Sequence, residues 1–171
     1  RELIRYRGEL ETLVAQRTAK LEEAGRELTA QSHTLKELNE ELNAVFDAAT
    51  VGIAVMKDRR VVRCNRQMEV IFGAPAGGFV GVHGETFYPI AGDRARATEA
   101  VHDVMREGAG HQTEAQVVRR DGTVFWARMH ATRLDAEVGT MVVLIEDITE
   151  EHQAAEALRQ AQLAMLRGSG N

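Results

Sequence analysis

Leucines and valines recur at alternating steps of three and four through the first part of the chain, with no proline and no turn cluster between Arg1 and Val45. With Leu10 at a d position, Val14, Leu21, Leu28, Leu35 and Leu42 fall at a, and Leu3, Arg17, Ala24, Gln31, Leu38 and Val45 complete the d series. One register held over about six heptads predicts a coiled-coil helix across residues 1–45. The expected state is a parallel dimer whose interface is formed by Leu10, Val14, Leu21, Leu28, Leu35, Leu38 and Leu42. Arg17 and Gln31 at the seam cost stability but specify register, and Gly25 weakens the helix by about 1 kcal/mol relative to Ala. The alternative is a single amphipathic helix packed on its own domain, but at 1.5 Å per residue it would run roughly 65 Å, far beyond a small domain.

After this arm the period shortens. Val51–Met56 and Arg60–Cys64 are β-prone runs joined by the turn-forming Lys57–Arg60, which predicts a hairpin. Asn65 is placed to cap a helix to Phe72, ended by Gly73, Pro75 and the pair Gly77 and Gly78. Residues 74–92 read as loop with one or two helical turns near 85–90. A longer helix is expected from Asp93, as N-cap, to Glu107, with Ala97, Val101, Val104 and Met105 at helical spacing and Gly108 as its stop. Three strands follow at about Gln112–Arg119, Thr123–Leu134 and Thr140–Ile148, the first two linked by the hairpin signal Asp121 and Gly122. The divisions are therefore an arm (1–45), a mixed domain (46–149), a linker helix (150–167) and a flexible tail or cloning remnant (168–171). This order implies an α+β fold, a five-stranded antiparallel sheet with helices on one face.

Composition narrows the function classes. The 171 residues carry a formal charge of −5, with 44% hydrophobic and 27% charged residues, which suits one or two small soluble domains. No apolar run is long enough for a membrane span and no signal-peptide core opens the chain, so a cytoplasmic piece is expected, whether or not the full-length protein is membrane-anchored. A single cysteine rules out an internal disulfide or a Cys-rich metal site. Mild acidity without a basic stripe argues against nucleic acid as a partner.

The mixed region, from about Leu42 to Thr149, resembles a PAS domain, the sensor module of bacterial signalling proteins. The resemblance is carried by Gly52 and Ile53 on the first strand, and by Asn65, Glu69 and Gly73 in NRQMEVIFG. Further along it rests on Val80 and Gly81, on Arg119 to Gly122 at the hairpin, on Phe125 and Trp126, and on the closing Asp147, Ile148 and Thr149. The segment LVAQRTAKLEEA in the arm is similar to coiled-coil linkers that precede such domains in sensor histidine kinases and diguanylate cyclases. The resemblance implies a homodimeric sensory segment of a two-component or related system, first of all a sensor histidine kinase. Signal would leave through Asp147, Ile148 and Thr149 to an output kinase or cyclase domain outside these residues. A ligand-free dimerisation scaffold and a haem-based gas or redox sensor are the alternatives.

No catalytic role is expected within the chain. There is no phosphate-binding Gly-rich loop, no HExxH and no GxSxG, and no signature of cyclic-dinucleotide synthesis or hydrolysis. His152, in Glu-Glu-His-Gln, lacks a phosphoacceptor context and reads as a solvated histidine. The flavin branch of the resembled family needs a cysteine after Val80 and Gly81, where His83, Gly84 and Glu85 stand. It also needs amides on the last three strands, where Val117, Ala127 and Ile145 stand, so flavin is rejected. The haem branch would place its ligand at Ala97, and His102, five residues on, is turned away by about 140°; haem is disfavoured. His83, His102, His111 and His130 have no metal-ligand spacing, and Cys64 reads as a small buried hydrophobe. No cofactor is expected.

Strand alternation puts Phe125, Ala127, Met129 and Ala131 on one face and Trp126, Arg128, His130 and Thr132 on the other. Together with Met141, Val143 and Ile145, and with Ile53, Val55, Phe72, Phe87, Val101 and Val117, the first set forms either a filled core or the lining of a pocket for a small apolar ligand. The amphipathic stripe of Trp126, Arg128 and His130 suits cover by the arm's end near Val45 and Phe46, or by a second subunit.

Overall fold

The computed structural model describes residues 1–108, 110–134 and 139–168. They divide into two units, Arg1–Val45 and a unit that begins at Phe46. The proposed tail falls mostly outside the described residues, and Gly168 closes the last helix.

The first unit is all helix. Helix α1 spans Glu2–Ala48, three residues beyond the expected end, and buries none of its residues. Its seam leucines are bare: Leu21, Leu28, Leu35 and Leu42 keep 73%, 68%, 67% and 67% of their surface exposed. Ion pairs one turn apart, Arg5–Glu9 at 3.1 Å and Arg7–Glu11 at 3.0 Å, support the helix by a few tenths of a kcal/mol each, about what exposed i,i+4 pairs supply.

The second unit is the mixed domain. It runs β1 (Gly52–Lys57), β2 (Arg60–Cys64), α2 (Arg66–Phe72), a 3₁₀ turn (Gly84–Phe87), α3 (Ala91–Glu107), β3 (His111–Val118), β4 (Val124–Arg133), β5 (Thr140–Asp147) and α4 (Thr149–Gly168). The sheet order is β2-β1-β5-β4-β3, with every neighbouring pair antiparallel. Asp58 and Arg59 turn the β1–β2 hairpin with φ of 49° and 67°, the pair of left-handed residues that matches the strands' own twist.

Asn65 organises the entrance to this domain and is fully buried. Its Oδ1 accepts from Met68 N at 3.0 Å, the expected N-cap of α2, and from Ile53 N at 2.8 Å on β1. Its Nδ2 donates to Phe46 O at 2.9 Å and Val51 O at 3.0 Å. Both donors and both acceptor directions of one amide are thus used, as burial demands.

Helix α2 lies tight on β1 because residue 52 is glycine: a Cβ there would meet Met68 Sδ at 3.0 Å and Ile71 Cδ1 at 3.2 Å. Behind it Phe72 gathers Phe79, Phe87 and Phe125, with ring centroids 5.0, 4.9 and 5.5 Å away. A fully buried side chain such as Phe72 or Met68 contributes about 1.5–3 kcal/mol.

Two sequence expectations are corrected here. The N-cap of α3 is Ile90, not Asp93, which sits in the first turn and pairs with Arg96; an acid there still complements the helix dipole. On β1 the inward residues are Gly52, Ala54 and Met56, while Ile53 and Val55 are half-buried on the opposite face. Every position of that run is apolar or Gly, so composition could not choose between the two faces. The close approach of α2 does, because only the Gly52 and Ala54 parity leaves room for it.

Candidate functional site

Between the inner face of the sheet, α3 and the 3₁₀ turn lies a cavity of about 90 Å³. Of the expected lining, Phe72, Phe87, Val101, Val117, Met129 and Val143 do form its wall. Ala127 and Ile145 lie on the same sheet face, at 0% and 3% exposure, but in the packed core beside it. Ile53 and Val55 do not belong to it, being on the other face of β1. In their place Met56 joins the wall, with Met141 opposite it in the β1–β5 register.

Sequence reasoning missed the polar side of this cavity. Arg59 from the hairpin turn, Glu85 from the 3₁₀ turn, Tyr88, and Thr98 from α3 all line it. Arg59 Nη2 donates to Glu85 Oε1 and, at 2.8 Å, to Thr98 Oγ1, while Arg59 O accepts from Gly84 N at 2.9 Å. The Arg59 hydrogen bond is the main reason the Glu85 carboxyl is held below its ordinary range. Tyr88 Oη donates to Met129 Sδ at 3.3 Å. Burial, with a smaller contribution from the Asp93 charge, pushes the Tyr88 hydroxyl up to about 12. Arg59, Glu85 and Tyr88 come from turns without periodicity, and Thr98 sits at an α3 position that its spacing does not single out.

Ala97, the position where a haem ligand would stand, is in the cavity wall as alanine, and His102 is exposed on α3. Among the described residues no group of three His, Cys, Asp or Glu is arranged to hold a metal ion. Cys64 is half-buried at the end of β2, and burial is the main influence raising its thiol.

The second feature is the junction between β5 and α4. Asp147 Oδ1 accepts from Thr149 N at 3.0 Å and Thr149 Oγ1 at 2.6 Å, and its Oδ2 accepts from Arg119 Nη2 at 2.6 Å. Partial burial pushes the Asp147 carboxyl up, but the Arg119 and Thr149 hydrogen bonds together outweigh it and leave it below the usual range. Arg119 also donates to Ile71 O and lies over the Phe125 ring at 3.9 Å. Ile148 is buried and donates its N–H to Trp126 O at 2.9 Å, while Thr149 Oγ1 accepts from Trp126 N at 3.2 Å. The three residues singled out from the sequence thus tie the end of β5 to β4, to α2 and to the first turn of α4.

On the outer face of the sheet α4 covers the stripe of Trp126 and Arg128. Trp126 stacks on His152 with centroids 4.1 Å apart and planes 10° apart. Arg128 pairs with Glu114 at 2.9 Å, Glu146 at 3.4 Å and Glu151 at 3.1 Å. His152 is therefore half-buried against a ring, not free in solvent.

The sequence profile of the PAS domain matches residues 49–150. The chain belongs to the PAS family. Solved structures resemble the domain in fold. One is the PAS domain, in complex with ethanol, of a LuxR-family transcriptional regulator from Burkholderia thailandensis. It has 24% identity, covers 61% of this chain and 95% of that one, and has a TM-score of 0.54. Another is a domain of a sensory box sensor histidine kinase/response regulator from Geobacter sulfurreducens (18% identity, 66% and 96% coverage, TM-score 0.57). A third is the Rhodobacter sphaeroides LOV protein (16% identity, 78% and 79% coverage, TM-score 0.58). No curated protein matches the chain. PAS domains are sensory modules typical of signal-transduction proteins. Here the family match is flanked by helix on both sides, and no helix among the described residues is long and apolar enough to cross a membrane.

Proposed function

We propose that this chain is the dimeric sensor-and-relay segment of a cytoplasmic signalling protein, in the first instance a sensor histidine kinase. Its PAS cavity takes a small apolar ligand and its α4 helix passes the signal to an output kinase or cyclase domain. The observation that carries the reading is that one pair of strands serves both ends of the device. Met129 on β4 and Val143 on β5 line the cavity, while Trp126 and Arg128 on the outer face of β4 hold His152 and Glu151 of α4. A ligand that shifts these strands therefore acts directly on the seat of the exit helix, through one sheet thickness. A PAS domain of the same fold, from Burkholderia thailandensis, is known in complex with ethanol.

Haem and flavin are not part of this proposal. Val117, Ala127 and Ile145 offer a flavin no side-chain hydrogen bond, and Ala97 stands where the family's haem ligand would. The dimer is proposed to form along α1, whose exposed leucines otherwise leave a long apolar stripe in water. Arg17 and Gln31 keep that seam short of an ideal leucine zipper, which suits a helix pair that must move between two packings.

Light scattering on the purified protein tests the assembly. A dimer is expected, and the double variant Leu28→Glu, Leu35→Glu should be a monomer with an intact PAS domain; a dimer that survives both charges would remove the arm as the interface.

A further inference from the structure

The wall of the PAS cavity is mostly apolar, with polar side chains from Arg59, Glu85, Tyr88, Thr98, His111 and Thr113; among them the Tyr88 hydroxyl, next to Met129 in the wall, is poorly served. Tyr88 Oη finds only a thioether, Met129 Sδ at 3.3 Å, among the described residues. A thioether is a weak acceptor, so the half-buried Tyr88 phenol gains from a stronger one. Arg59 and Glu85 stand differently. They satisfy each other, and Thr98 completes the pair, so an anionic ligand would have to break a bond already made. The volume sets the size. An apolar cavity of about 150 Å³ accepts benzene, so about 90 Å³ admits a smaller molecule.

We propose that Tyr88 is the polar anchor of this cavity and that its ligand is a small neutral aliphatic alcohol or ketone, with fewer heavy atoms than benzene by the same volume comparison, whose oxygen accepts a hydrogen bond from Tyr88 in place of Met129 Sδ. Three methionines, Met56, Met129 and Met141, line the cavity and report on its contents. This inference rests on the cavity reading above and adds the chemistry of what enters.

The test follows the methyl resonances of those methionines by NMR in the purified protein, with three probes: xenon, butanone and butyrate. Xenon and butanone should both shift them. Tyr88→Phe should weaken butanone about three- to tenfold, the loss of one net hydrogen bond, and leave xenon unchanged. Met129→Leu removes the competing sulfur and should bind butanone at least as well as the parent. Equal butanone affinity in the parent and in Tyr88→Phe overturns the anchor, as does weaker butanone binding in Met129→Leu, which decides the matter should the phenylalanine variant not fold. Butyrate binding more tightly than butanone overturns it in favour of Arg59. If neither xenon nor butanone moves the methionines, the cavity reading itself fails.

Discussion

Trp126 on β4 and His152 on α4 lie ring on ring, 4.1 Å apart and within 10° of parallel. The exit helix is therefore fastened to the outer face of the sheet two turns or less after it begins, while the ligand cavity uses the inner face of the same strand. His152→Ala should lower stability by about 1 kcal/mol, the order of a stacked aromatic pair. It should also raise amide exchange in the first turns of α4 while leaving the protection of β4 and β5 intact. Unchanged exchange at residues 149–156 would show that the stack does not hold the helix.

Asp147 gives the junction a pH dependence with a defined sign. Its carboxyl is held below the ordinary value despite partial burial, chiefly by Arg119 and Thr149. A depressed folded value means the carboxylate's contribution is fully present above the unfolded value near 4, and is lost as pH falls through the folded value. Asp147→Asn should therefore lower stability at neutral pH by roughly 1 kcal/mol for a pair this exposed, and with it the melting temperature. The gap to the parent should close as pH falls below about 4. Thermal melts across that range decide it, and a gap independent of pH would sink the assignment.

Asn65 is the residue on which loss should cost most. Asn65→Ala removes four hydrogen bonds at a fully buried site and leaves Ile53 N–H and two carbonyls without partners. A destabilisation of about 2–4 kcal/mol follows from the unmet groups and the lost cap together. Denaturant titration measures it, and a loss below 1 kcal/mol would mean that water reaches the site.

Gly52→Ala probes the corrected face of β1. An added Cβ would lie 3.0–3.2 Å from Met68 and Ile71, and the overpacking should cost about 1–3 kcal/mol. The same change at an outward position of β1 would be nearly neutral, so a neutral Gly52→Ala would return Ile53 and Val55 to the inner face.

Periodicity carried much of this protein's plan. The heptads of α1, the cap at Asn65 and the hairpin at Asp121 and Gly122 are local, set by side-chain spacing and turn chemistry. The inward face of β4 was legible because Phe125, Ala127 and Met129 alternate with polar or amphipathic neighbours. β1 had no such contrast, and its face was decided by the space α2 leaves over Gly52. Glu85 and Thr98 lie 26 and 39 residues from Arg59 along the chain, and neither the two turns nor the α3 position marks them as a set. The seat of His152 on Trp126 joins two elements whose contact depends on how α4 leaves the sheet. The sequence by itself determined which elements form and which family they compose, because those follow from short-range patterns of burial and capping. Only the tertiary structure decided the polar wall of the cavity and the fastening of the exit helix, because both are made by side chains brought together from segments with no local reason to meet.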